Sequence, residues 1–117
     1  MTSTDADCIF CKIVAGDIPA EVLGRSEHAV AIADLNPQAP FHALVLPLEH
    51  HDNAAASAAA DPAVLGHLVV LADEVARGSG NGEYRLIANT GAGAGQSVFH
   101  THFHVLGSTP AMTESLI

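Results

Sequence analysis

Three histidines fall at alternate positions in His100-Thr101-His102-Phe103-His104-Val105-Leu106. In an extended strand that spacing turns all three imidazoles to one face and Thr101, Phe103 and Val105 to the other. An imidazole of ordinary pKa is largely neutral at pH 7, so such a row supplies a nucleophile, an acid or base, or metal ligands from one rigid element. The approach to the row, Asn89-Thr-Gly-Ala-Gly-Ala-Gly95-Gln96-Ser97-Val98-Phe99, is a glycine-rich turn whose main-chain N–H groups can form a concavity for an anion. Nucleophile and anion cradle side by side point to phosphate chemistry.

A second group of reactive residues lies near the N-terminus. Cys8 and Cys11 have the C-x-x-C spacing of a metal half-site or a redox pair. A thioredoxin-like motif should follow a strand of a βαβ unit, whereas this one begins a few residues into the chain, which favours zinc. A closed structural zinc site needs two further ligands.

The elements that must position these groups are short. Ile9, Phe10, Ile13 and Val14 have helical spacing, and a short helix or turn should end near Gly16, with Pro19 barring its continuation. Glu21 to Ser26 and His28 to Asp34 read as two strands joined by a tight turn, with Val22, Val30 and Ile32 inward. Asn36 to Pro40 is a turn or extended loop, and His42 to Pro47 is the strongest central-strand signal. Alanine-rich Asp52 to Ala60 reads as a short helix, and Asp61-Pro62 starts another, with an apolar stripe from Val64 to Val75 and a cap at Gly78. Tyr84 to Asn89 reads as a strand, as does Phe99 to Leu106.

The chain of 117 residues reads as a single domain, with residues 1–7 a disordered N-terminus and 108–117 a C-terminal tail. Its apolar residues are mostly Ala, Val, Leu and Ile, with no Trp and one Tyr, so the core is small-grained and gains from oligomerisation. The formal charge of −9, against which only Lys12, Arg25, Arg77 and Arg85 stand, opposes binding to a nucleic-acid polymer. Residues 1–7 carry neither a basic nor an apolar segment of a secretory signal, and the longest apolar stretch, 63–72, is interrupted by Gly66 and His67 and is too short for a bilayer. The protein therefore reads as cytoplasmic, without membrane contact, where paired cysteines serve metals or redox chemistry rather than structural disulfides.

Three blocks in order carry a family resemblance: Cys8-Ile-Phe-Cys-Lys-Ile-Val-Ala-Gly-Asp-Ile-Pro-Ala20, Asp34-Leu-Asn-Pro-Gln-Ala-Pro-Phe-His42-Ala-Leu-Val-Leu-Pro47, and Gly95-Gln-Ser-Val98 leading into the histidine row. From Cys8 to Gly107 the chain resembles the histidine triad (HIT) superfamily, in its Hint-like branch of nucleotide-binding hydrolases. The resemblance implies a small α+β fold, with an antiparallel sheet of about five strands, one long helix and one or two short ones. It also implies a homodimer with a sheet continuous across the interface, and the face rich in Val and Leu between Asp61 and Arg77 suits such a contact.

The implied activity is hydrolysis of purine nucleoside phosphoramidates, or related nucleoside monophosphate derivatives, through a nucleotidyl-histidine. His102 would be the nucleophile and His104 the contact to the phosphate oxygens or leaving atom. The amides near Gly95 and the Ser97 hydroxyl would stabilise charge, with Asn89 and Gln96 lining the phosphate pocket. His42 would support the triad from the neighbouring strand, Asp34 would bind the ribose hydroxyls, and Ile9, Phe10, Ile13 and Leu35 would wall the purine. For zinc, the family completes Cys8 and Cys11 with His50 and His100, His51 being the substitute if the register slips; His100 is then structural rather than catalytic.

Two features depart from the family. Leu48 and Glu49 follow Pro47 where well-known Hint enzymes have lysines, and residues 108–117 replace an aromatic-bearing tail. Both touch leaving-group preference, so a dinucleoside polyphosphate hydrolase and a low-turnover nucleotide-binding regulatory module stand as alternatives. His28 and His67 read as a surface-turn and a helix residue without a role.

Overall fold

The computed structural model describes residues 7–107; the expectations for the two termini fall outside them, apart from Asp7. Helix α1 (Ile9–Ala15) is capped by Cys8, whose Sγ accepts from the Cys11 amide at 3.3 Å, and ends at Gly16 in the left-handed conformation, φ 84°. A glycine is suited there because a Cβ penalises positive φ.

Five strands follow in the order β1-β2-β3-β5-β4, every pair antiparallel: β1 (Val22–Arg25), β2 (Ala29–Ala33), β3 (Phe41–Pro47), β4 (Tyr84–Ile87) and β5 (Phe103–Gly107). Strand β3, the central-strand signal, is buried at every residue. Together with the helices this is the α+β arrangement the resemblance implies.

Two further helices lie between β3 and β4. Helix α2 (Ala54–Ala60) is capped by Asn53 rather than begun at Asp52, and α3 (Pro62–Ser79) by Asp61, whose carboxylate accepts from the Ala63 amide. Gly78 does not end α3. The helix runs to Ser79, and the amides of Gly80 and Gly82 both reach the Ala76 carbonyl at 3.0 Å, with Gly82 supplying the positive φ.

The alanines in the strands explain how a chain with few aromatics packs. Ala29, Ala31, Ala43, Val45 and Val105 face α3, where Leu68, Leu71, Ala72 and Val75 are buried against them. Small side chains let the helix lie close to the sheet. At Gly24 of β1 even a Cβ would come within 2.7 Å of Val75 Cγ1. Each fully buried Leu or Val adds about 1.5–3 kcal/mol. The opposite face presents Val30, Ile32, Leu44 and Leu46 to Phe10, Cys8 and Cys11. Val22, expected inward, is 45% exposed because the β1–β2 register shifts between Val22 and Gly24.

The histidine strand is shorter than its pattern predicts. Only His104 of the three lies within β5, and the strand from Tyr84 likewise stops at Ile87 rather than Asn89. Before Phe103, side-chain bonds and one isolated main-chain bond replace the ladder. The His100 ring, not a main-chain amide, meets the Pro47 carbonyl at 2.9 Å, and the Thr101 amide turns to the His51 carbonyl at 2.8 Å. The Thr101 hydroxyl bonds Ser57 Oγ at 2.6 Å and donates to the Asn53 carbonyl at 2.7 Å, which ties the segment to α2.

Candidate functional site

The expected zinc ligands meet in space. Sγ of Cys8 and Sγ of Cys11 each lie 3.5 Å from His100 Nδ1; His50 Nδ1 is 3.3 Å from Cys11 Sγ and 3.2 Å from His100 Nδ1. A tetrahedron with metal–sulfur bonds of about 2.3 Å and metal–nitrogen bonds of about 2.05 Å requires about 3.6 Å between S and N and about 3.3 Å between two nitrogens. The residues present therefore fit zinc. The surrounding bonds prepare them: His100 Nε2–H donates to the Pro47 carbonyl, which leaves Nδ1 with a lone pair, and burial pushes this imidazole down to about 4, so it is neutral. His50 Nε2 faces Asp52 Oδ1 at 3.6 Å. A bound ion would fasten α1 to β3 and to the histidine segment. The substitute residue His51 is not in the cluster.

The other two triad histidines hold opposite tautomers. His102 Nδ1–H donates to the His100 carbonyl at 2.8 Å, so Nε2 keeps its lone pair. Its ring stands edge-on against Phe10, centroids 5.0 Å apart. For His104 the order starts in the loop before β3. The Gln38 amide donates to His42 Nδ1 at 2.9 Å, which puts the hydrogen of His42 on Nε2. That Nε2–H lies 3.0 Å from His104 Nδ1 and 3.3 Å from Asp34 Oδ2. His104 Nδ1 is thereby an acceptor, and the hydrogen of His104 sits on Nε2. Burial lowers the pKa of both rings, the Asp34 carboxylate opposing it at each. Asp34, His42 and His104 bring donor atoms close enough for a cation, but a Nε2 that carries a hydrogen offers it no lone pair.

Beside these rings a cavity of about 260 Å³ opens between α1 and the sheet. Ile9, Phe10, Ile13, Ile32 and Leu44 wall it, and Asp34, Ser97, His102 and His104 supply its polar groups. Leu35 is among its lining residues yet 93% exposed. Ile18, Pro19 and Ala20 also line it, a contribution the sequence did not signal because it depends on how the chain turns after Gly16.

The glycine-rich segment forms a 3-10 turn (Ala92–Ala94) between Gly91 and Gly95, both at positive φ. Gln96 is buried and its side-chain amide joins the loop to the segment before α2: Oε1 accepts from the Gly91 amide, and Nε2 donates to the Asp52 and Val98 carbonyls. Its side chain braces the turn. Gly95 and Asn89 are not among the residues lining the cavity; Asn89 lies two residues beyond Ile87, the register partner of His104. Two groups that sequence reasoning missed, the Gln38 amide and the Pro47 carbonyl, belong to the main chain and carry no residue-type signal. His28 and His67 stack at 4.1 Å on the far side of the sheet, outside this site. Among the described residues no helix is long and apolar enough to cross a membrane.

Comparison with known proteins agrees with this geometry. The HIT domain family matches residues 15–111. An uncharacterized HIT-like protein of Synechocystis sp. is 44% identical over 105 residues, covering 89% of this chain and 92% of its own length, and protein HitA of Neisseria gonorrhoeae is 40% identical over 103 residues, covering 87% and 96%. Among solved structures, a HIT family hydrolase from Clostridium thermocellum superposes with a TM-score of 0.90 at 36% identity, covering 97% of this chain and all of that one. A histidine triad protein from Clostridium difficile gives 0.85 at 35%, covering 95% and 99%. Matched by the HIT domain family over residues 15–111 and by relatives 40% identical or more over nearly its whole length, the chain belongs to the HIT family.

Proposed function

We propose that the protein is a nucleotide hydrolase that cleaves purine nucleoside phosphoramidates, or related nucleoside monophosphate derivatives, through a nucleotidyl-histidine. The observation that carries this reading is the pair of opposite tautomers: His102 keeps a lone pair on Nε2, and His104 keeps a hydrogen on Nε2, both at one cavity. The name of the Clostridium thermocellum neighbour, a HIT family hydrolase, supports the reaction class.

In the first step the His102 Nε2 lone pair forms a bond to the α-phosphorus. The bond to the leaving amine breaks, and the amine departs with the electron pair and takes a proton from solvent. His104 Nε2–H donates to a phosphate oxygen as charge builds, with the Ser97 hydroxyl beside it. Water then attacks phosphorus, the P–Nε2 bond breaks, its electrons return to His102, and the water proton leaves to solvent. The apolar wall takes the base and Asp34 the ribose hydroxyls. A cavity of about 260 Å³, just under the range of about 300–1,000 Å³ usual for small-ligand pockets, suits one base with its sugar and phosphate at the open side.

The zinc site is proposed as structural, held by Cys8, Cys11, His50 and His100. A two-fold dimer is supported by an edge strand, β4, and by Val69 and Val70, exposed on α3 at 44% and 58%. Single-turnover quench with an α-phosphorus-labelled adenosine phosphoramidate tests the chemistry: label covalently bound to the protein is expected, and hydrolysis without it would exclude the intermediate.

A further inference from the structure

The His42 Nε2–H is hydrogen-bonded to one acceptor and lies in the field of a carboxylate beside it. His104 Nδ1 lies 3.0 Å away and Asp34 Oδ2 lies 3.3 Å away, and the ring cannot offer a second hydrogen because its Nδ1 is held by the Gln38 amide. Asp34 is itself oriented: its Oδ1 accepts from the Asn36 amide at 2.8 Å, which leaves Oδ2 toward His42. The His42 side chain is 3% exposed and that of Asp34 17%, so water competes weakly for either.

We propose that Asp34 and His42 form a relay that couples occupancy of the sugar site to the strength of His104 as a hydrogen-bond donor. With the sugar site empty, the Asp34 charge pulls on the His42 hydrogen. A sugar hydroxyl donating to Asp34 disperses that charge, so its pull on the His42 hydrogen weakens and the bond to His104 Nδ1 tightens. An imidazole that accepts a stronger bond at one nitrogen donates a stronger one from the other, because linked hydrogen bonds polarise one another. His104 Nε2–H then stabilises the phosphate better, most of all in the transition state. His42 is a positioning residue in this scheme, and discrimination for ribose appears in kcat as well as in KM. The proposal rests on the reading that Asp34 takes the ribose hydroxyls.

The test compares adenosine 5′-phosphoramidate with its 2′-deoxy analogue on the full chain. For the unaltered protein the 2′-deoxy substrate is expected to raise KM and to lower kcat by about tenfold, the effect of one weakened hydrogen bond. In His42→Phe the rise in KM should persist while the two substrates share one kcat. A 2′-deoxy effect confined to KM in the unaltered protein, or a kcat ratio unchanged in His42→Phe, overturns the relay. Equal KM for both sugars, together with an Asp34→Asn variant of unchanged KM, overturns the ribose reading beneath it and the relay with it. A measurement that needs no variant uses ¹⁵N NMR of the imidazoles. Adenosine 5′-monophosphate should move His104 Nδ1 further toward the hydrogen-bonded acceptor than 2′-deoxyadenosine 5′-monophosphate does, and identical shifts for the two would sink the proposal.

Discussion

The carbonyl of His100 accepts the Nδ1–H of His102 at 2.8 Å, while the ring of the same His100 stands 3.5 Å from both thiols. One residue thus belongs to the Cys–His cluster through its side chain and sets the tautomer of the neighbouring ring through its backbone. A disturbance of the cluster reaches His102 through a single residue.

Metal removal is therefore expected to cost more than stability. Elemental analysis of protein purified without chelator should show one zinc per chain, and Cys11→Ser should lower Tm by at least about 10 °C, on a scale of about 4–8 °C per kcal/mol for a small domain. Its kcat should fall as well. A Cys11→Ser protein with unchanged Tm and metal content would remove Cys11 from the ligand set.

For His102→Asn, kcat is expected to fall by at least about 10³-fold, because His104, the other imidazole lining the cavity, turns a hydrogen rather than a free lone pair toward it. Affinity for adenosine 5′-monophosphate should stay within about threefold, since the apolar wall and Asp34 supply ground-state binding. Calorimetric titration of the variant beside a turnover assay separates the two effects, and substantial residual turnover would assign the nucleophile elsewhere.

Gln96→Ala leaves the Gly91 amide and the Asp52 and Val98 carbonyls without their buried partner. A loss of about 2 kcal/mol in urea unfolding is expected, the usual cost of stranding buried polar groups. Glycine-loop amides should also exchange faster with solvent. A variant as stable as the parent would show that water replaces the amide freely.

Acid should weaken the fold in a defined window. His42 and His104 have folded-state pKa values below the ordinary 6.5, so between those values and 6.5 the unfolded chain binds more protons than the folded one. Stability is then fully present above about pH 6.5 and is lost as pH falls through that window. Tm measured from pH 8 to pH 5 should be level at first and then decline. A Tm that rises on acidification below pH 6.5 would contradict the assigned direction.

Spacing alone determined much of this protein. An apolar run stopped by Pro47 marked β3, Asp61-Pro62 marked the start of α3, and a C-x-x-C and a triple histidine named Cys8, Cys11, His100, His102 and His104 of the Cys–His cluster and the cavity, His50 coming from the family resemblance. Those signals are local, since periodicity and capping act between residues a few positions apart. The same locality explains the misses. Alternation from Phe99 to Leu106 predicted a strand carrying all three imidazoles, but the ladder begins only at Phe103, because the His100 ring and the Thr101 amide take carbonyls 50 or so positions away in sequence. The bonds of the Gln96 side chain to the Gly91 amide and to the Asp52 and Val98 carbonyls were likewise beyond the reach of spacing. The tautomers of His42, His100, His102 and His104 depend on the Gln38 amide and the Pro47 and His100 carbonyls, and every residue type but proline has the same amide and every one the same carbonyl. Which backbone group a ring meets is decided by the packing of distant segments, so the chemistry each imidazole can perform was settled only in three dimensions.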